Sequence, residues 1–128
     1  MKYGYSKKVN HSFEGVVAKT KEALQEADFG VLTEIDVKAT MKKKLDVDYD
    51  NYLILGACNP PFAHQALQAE KEIGLLLPCN VIVYEDNNEV YISAILPTIA
   101  MNMVESEELA KIAKEVETRL ISVIDAVE

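Results

Sequence analysis

From residue 106 onward the apolar positions recur with a helical period, and this stretch constrains the fold more than any other. Leu109, Ile112, Ala113, Val116, Leu120, Val123, Ile124 and Val127 fall on one face of a single helix. Ser106 stands before it as an N-cap, and Glu107 and Glu108 occupy the first turn, where the helix dipole favours negative charge. At about 1.5 Å per residue, a helix of roughly twenty residues spans a whole sheet. An apolar stripe of that length needs an apolar surface of matching length, so the rest of the chain must supply one. With 128 residues, 49% of them hydrophobic, the chain has the means to do so. Length and composition describe one compact domain over residues 1–128, and they exclude a disordered chain.

The strands are readable upstream. Residues 2–9 carry Tyr3, Tyr5 and Val9 and form a short first strand. Ser12 caps a helix whose face is Phe13, Val16, Val17, Thr20, Leu24 and Ala27. The segment Asp28-Phe29-Gly30 ends it, with Gly30 available for the positive φ of a helix terminus. Residues 31–37 are a second strand. Val37, Met41 and Leu45 then mark a short surface helix, with Lys42, Lys43 and Lys44 on its solvated side. Residues 51–58 are apolar on both faces, Tyr52, Ile54 and Cys58 alternating with Leu53, Leu55 and Ala57, as in a strand covered from both sides.

Asn59-Pro60-Pro61 starts the next helix, because proline in the first turn gives up an N–H that has no intrahelical partner. This helix is expected to run over residues 60–73, with Gly74 as its stop. A fourth strand over residues 79–85 and a fifth over 89–96 flank a loop at Asp86-Asn87-Asn88. A three-residue loop pairs Tyr84 with Val90, Ile82 with Ile92 and Val81 with Ser93. Residues 97–104 are an apolar connection to the last helix. The order of elements predicts an α+β domain with a mixed or antiparallel sheet.

Charge excludes some functions. Thirteen basic against 21 acidic residues leave a net charge of -8, which repels phosphates where counterion release should supply affinity, so no nucleic-acid partner is expected. The N-terminal residues lack an apolar segment of the secretory kind, and the uncharged run at residues 90–104 is shorter than a membrane span. The expectation is a cytoplasmic protein with no membrane association, in which Cys58 and Cys79 are thiols. No phosphate-binding loop, dinucleotide fingerprint, nucleophile elbow or paired zinc-binding cysteines occur, so no cofactor or metal is assigned.

The pattern breaks in the helix at residues 60–73. Phe62, Ala63, Ala66, Ala69 and Ile73 share a face, and Glu70 falls inside it. A carboxylate there accepts hydrogen bonds or pairs with a lysine, or else it faces a pocket as an acid/base or ligand contact. Cys58 ends a strand immediately before a helix N-terminus, a place that lowers a thiol pKa, although a small buried residue there also simply packs. Cys79 opens the next strand. A parallel crossover places the two cysteines at opposite ends of the sheet, whereas an antiparallel arrangement brings them to one end. His64 lies about 120° round the helix from Glu70 and has no second ligand at i+3 or i+4. His11 is weaker still. Met101, with Met103 nearby, is either filler or a soft ligand.

The run Tyr52-Leu53-Ile54-Leu55-Gly56-Ala57-Cys58-Asn59-Pro60-Pro61, then Ala63-His64, Leu67, Glu70, Ile73-Gly74-Leu75-Leu76-Leu77-Pro78-Cys79-Asn80-Val81 and Tyr84-Glu85, resembles the family grouped as domain of unknown function 302. The resemblance covers nearly the whole chain. It implies a TATA-binding-protein-like fold, β-α-β4-α with extra short helices: a curved, mainly antiparallel sheet of about five strands with the long C-terminal helix packed on it, often dimeric. It therefore implies the antiparallel arrangement, which gathers Cys58, Cys79 and the Glu70 helix towards one end. The family carries no established activity.

These residues lead to three readings. The first is a homodimeric small-ligand-binding module whose site is Cys58, Asn59, Glu70, Cys79 and Asn80, with His64 and Met101 as secondary candidates, helix N–H groups orienting an anionic or polar group. The second is a thiol enzyme or sulfur carrier with Cys58 or Cys79 as nucleophile and Glu70 or His64 as proton acceptor. The third is a structural or partner-binding dimer without a ligand. The double-faced apolar strands and the uncharged run at 90–104 motivate the dimer.

Overall fold

The computed structural model describes residues 2–128. Its elements are β1 (Gly4–Val9), α1 (Phe13–Glu26), β2 (Gly30–Asp36), α2 (Val37–Leu45), β3 (Tyr52–Cys58), α3 (Pro60–Ala69), a 3-10 turn (Lys71–Leu76), β4 (Cys79–Asp86), β5 (Glu89–Ile95), α4 (Pro97–Ala100) and α5 (Glu107–Ala126). The strands form one sheet in the order β1-β5-β4-β3-β2, every neighbouring pair antiparallel. The fold is therefore α+β with a five-stranded antiparallel sheet and a long C-terminal helix.

Helices α1 and α5 pack on one face of the sheet, and the stripe of α5 meets its surface there. Val81, Val83, Leu55 and Ile92 from the sheet, Leu24 from α1, and Leu109, Leu120 and Ile124 from α5 are buried in this interface. Each helix is held at its start as its sequence requires. Ser12 Oγ accepts from the Gly15 N–H at 3.1 Å, and Ser106 Oγ from the Leu109 N–H at 3.1 Å. Thr20, fully buried on α1, donates its hydroxyl to the Val16 carbonyl at 2.7 Å, so it adds no unpaired polar group to the core.

Three local expectations are corrected. At the end of α1 the positive φ belongs to Asp28 (66°), and Gly30 begins β2 as ordinary extended backbone, because the chain reverses two residues earlier than expected. Between β4 and β5 the loop has two residues, Asn87 and Asn88, with φ of 51° and 64°. Paired positive φ values of this kind give a turn whose twist suits a hairpin. Tyr84 therefore faces Tyr91, Ile82 faces Ser93 and Val81 faces Ala94, one residue out of step with the three-residue expectation. Since the side-chain period in a strand is two, the slip decides which residues share a face: Val81, Val83, Ile92 and Ala94 go to the core, and Tyr84 and Tyr91 to the opposite side.

The third correction concerns the helix expected over residues 60–73. It stops at Ala69, where Glu70 turns extended (φ -149°, ψ 110°) and its carboxylate accepts the Glu72 N–H at 3.3 Å. A local side-chain hydrogen bond of this type competes with continued helix. Glu70 thus caps the 3-10 turn and does not intrude on an apolar helix face.

The face of the sheet away from α1 and α5 carries a row of aromatic rings. Tyr52, Tyr84 and Tyr91, from β3, β4 and β5, stack in sequence with centroids 5.4 and 5.3 Å apart and interplanar angles of 20° and 18°. Tyr49 tilts against Tyr52 at 6.4 Å. Ile54 and Ile82 lie on the same face by register, and Ile35 at its β2 side is 48% exposed.

Candidate functional site

β3 delivers Cys58 and Asn59 to the point where α3 begins, and β4 starts beside them: Cys79 pairs with Ala57, one residue before Cys58. The antiparallel arrangement brings the cysteines to one end of the sheet, and both are free thiols. There, α3, α4 and α5 border a half-open cavity of about 280 Å³. Cys58, Asn59, Cys79 and Met101 line it together with Phe62, Ala66, Pro97, Ile112 and Ala113.

The cavity exists because small residues face one another across it. Ala57 on β3, Ala63 and Ala66 on α3 and Ala113 on α5 all contribute to its walls, and larger side chains at those positions would fill the space. These alanines were visible as parts of apolar stripes, but the helix packing that makes them face one another was not. Leu32 and Leu67, 66% and 39% exposed, also line the cavity and so mark its mouth. Among the described residues lining it, none is charged.

The other residues singled out in the sequence lie elsewhere. Glu70 joins Glu72, Leu75, Met103 and Glu105 around a separate open depression. Asn80 is exposed on β4, opposite Gly56, and lines a neighbouring hollow of about 250 Å³ with Leu75 and Ala100. Cys79 and Met101 border that hollow as well as the cavity. His64 is exposed on α3 and is not a lining residue. Among the described residues, no three His, Cys, Asp or Glu side chains gather as a metal ion would need.

The electrostatics of the site weigh against an activated thiol, the second of the alternatives open for Cys58 and Cys79. Burial pushes the Cys79 thiol up to about 11, helped by the nearby Cys58, and burial raises Cys58 as well. Desolvation of the anion outweighs any help from the start of α3. That start is itself weakened, since Pro60 and Pro61 carry no N–H and leave Phe62 as the donor of the first turn without an intrahelical partner. Asn59 is 6% exposed, and its side chain makes no cap hydrogen bond. Asn59 is the polar residue in a lining otherwise built of apolar and sulfur side chains.

Two contacts hold the walls. The Arg119 guanidinium lies over the Phe62 ring, 5.1 Å from its centroid. Arg119 Nε pairs with Glu115 Oε1 at 3.4 Å, outside hydrogen-bond geometry, and is buried without a hydrogen-bond partner. On the other side Glu117 of α5 accepts from the Thr98 N–H at 3.1 Å and from the Thr98 hydroxyl at 2.6 Å, tying α4 and its neighbour Met101 to the long helix.

A five-stranded antiparallel sheet backed by a long helix, with an uncharged half-open cavity at one end, defines a small α+β protein. Over residues 5–127 the chain matches the family model of Domain of unknown function DUF302, and it belongs to that family. It is similar throughout to the crystal structure of an uncharacterized conserved protein DUF302 from Bacillus stearothermophilus, with 28% identity, a TM-score of 0.94 and 100% of each chain covered. A search of the curated proteins found no match. Among the described residues, no helix is long and apolar enough to cross a membrane.

Proposed function

We propose that this DUF302 protein is a small-ligand-binding module that works as a homodimer. The observation that carries the reading is the cavity itself: about 280 Å³, lined by Cys58, Asn59, Cys79 and Met101, and walled by opposed alanines that leave it unfilled. Pockets of this kind, largely apolar with a few placed polar groups, are where small molecules bind. Intact-mass measurement of the native protein as isolated, compared with the denatured chain, tests it. A non-covalent adduct supports the reading, and its absence across several expression hosts counts against it.

The dimer rests on the uncovered sheet face. Five strands about 4.8 Å apart and six residues long at about 3.4 Å each present roughly 500 Å² per copy, so a face-to-face pair buries about 1,000 Å², the lower end of specific interfaces. The row Tyr52, Tyr84, Tyr91 stacks ring on ring and offers edges to a partner, while the Tyr91 hydroxyl already donates to Glu89 Oε2 at 2.8 Å. Light scattering at micromolar concentration should give twice the chain mass.

A thiol enzyme or sulfur carrier is the weaker reading, because both thiols are raised and held protonated at neutral pH. Two free cysteines suit the reducing cytoplasm, where we place the protein. The charge of -8 speaks against a nucleic-acid partner.

A further inference from the structure

We infer that the cavity takes an uncharged, flat aromatic molecule of about two fused rings bearing one hydrogen-bonding group, and that it rejects carboxylates; this rests on the ligand-binding reading above. Size comes first. A buried apolar cavity of about 150 Å³ accommodates benzene, so a volume near 280 Å³ has room for a second ring within its walls, whereas a nucleotide or a long acyl chain would have to extend out through the mouth at Leu32 and Leu67.

Charge comes second. Helix N-termini bind anions through free N–H groups, and α3 begins beside the cavity at Asn59. Yet Pro60 and Pro61 remove two of those donors, and no cationic side chain lines the space. A carboxylate entering here would lose its hydration and regain little of it. The helix terminus therefore sits at the cavity with its anion-binding capacity largely removed.

Polarity comes third. Asn59, 6% exposed as a residue, borders the cavity and its side chain makes no cap hydrogen bond, so its amide has both donor and acceptor capacity to offer. An amide free of the helix cap, set in an otherwise apolar lining, favours a ligand hydroxyl, carbonyl or ring N–H over a plain hydrocarbon. Ring edges would meet Phe62 and the sulfurs of Cys58, Cys79 and Met101, contacts that suit an aromatic partner.

The test uses the full chain and isothermal titration with four probes: 2-naphthol, naphthalene, 2-naphthoate and decanoate. Binding of 2-naphthol at least tenfold tighter than of 2-naphthoate or decanoate is expected. Asn59→Ala should weaken 2-naphthol by about tenfold while leaving naphthalene within about twofold. Ala66→Phe should abolish binding of both, and Ala63→Leu serves the same purpose if the first variant fails to fold. Tighter binding of 2-naphthoate or decanoate would overturn the proposed ligand class while leaving a ligand-binding cavity in place. No heat from any probe, with amide resonances of Phe62 and Ala63 unmoved, would overturn both. Binding that persists in a folded cavity-filling variant would place the ligand elsewhere and overturn the assignment.

Discussion

Tyr84 stacks on Tyr91 across the β4–β5 hairpin, ring centroids 5.3 Å apart and planes 18° from parallel. The pair exists only in the register that the two-residue turn sets, and it joins Tyr52 to form a continuous aromatic row on the sheet face away from the helices.

Tyr84 is the middle ring, so truncating it breaks both stacked pairs. Tyr84→Ala should cost about 1–3 kcal/mol in urea unfolding, given roughly 0.5–1.5 kcal/mol for each aromatic pair. Tyr84→Lys should in addition shift the protein to monomer in light scattering, because it places a charge in the centre of the face proposed to pair. A Tyr84→Lys protein that keeps the wild-type mass would separate the row from assembly.

Cys79 gives a pH signature. Its thiol is pushed up to about 11 in the folded protein from 9.0, so folding favours the protonated form. That contribution is fully present below pH 9 and is lost as the pH rises towards 11. On the order of 2–3 kcal/mol of stability should disappear across this window, and Cys79→Ala should flatten that part of the curve. Denaturant titrations at pH 8, 9, 10 and 11 read the difference.

Alkylation checks the same cause kinetically. At pH 7.5 iodoacetamide should modify Cys58 and Cys79 more slowly than it modifies a free thiol in a short peptide, with the half-exposed Cys58 reacting before the buried Cys79. Thiolate-like labelling at neutral pH would restore the nucleophile reading.

Gly56 lies where Thr33 and Pro78 close over β3. A Cβ there would meet Thr33 Oγ1 and would come within 2.8 Å of Pro78 Cγ. Gly56→Ala should therefore destabilise by about 1–3 kcal/mol, as overpacking does, whereas Gly74→Ala, with nothing within 4 Å of the added atom, should not. Thermal melts of the two variants make the comparison.

Glu117 holds α4 against α5 through two hydrogen bonds to Thr98. Glu117→Ala leaves both donors without this acceptor and should cost about 1–3 kcal/mol. It should also raise amide exchange in residues 97–101, the segment that carries Met101 to the cavity, and leave exchange in α1 unchanged.

Much of this was legible locally. Ser12 and Ser106 cap their helices through the predicted side-chain bonds, Pro60 starts α3, and the apolar stripe of α5 is the buried face. Glu70 was not legible. Helical periodicity placed it among Ala66, Ala69 and Ile73, but its own carboxylate ends the helix by bonding the Glu72 N–H. Asn80 stands next to Cys79 in sequence, yet alternation along β4 turns it away from the core side. Only Cys58, Asn59, Cys79 and Met101, among the residues first singled out, come together in the cavity.

Local chemistry fixed most of the helices and strands and the inward stripes of α1 and α5, because capping, proline placement and apolar period act over a few residues. Tertiary structure decided the rest: the hairpin register that gathered the tyrosines, the packing that set four alanines around an unfilled space, and the burial that raised the two thiols. Those outcomes depend on which surfaces meet, and no window of sequence contains both partners.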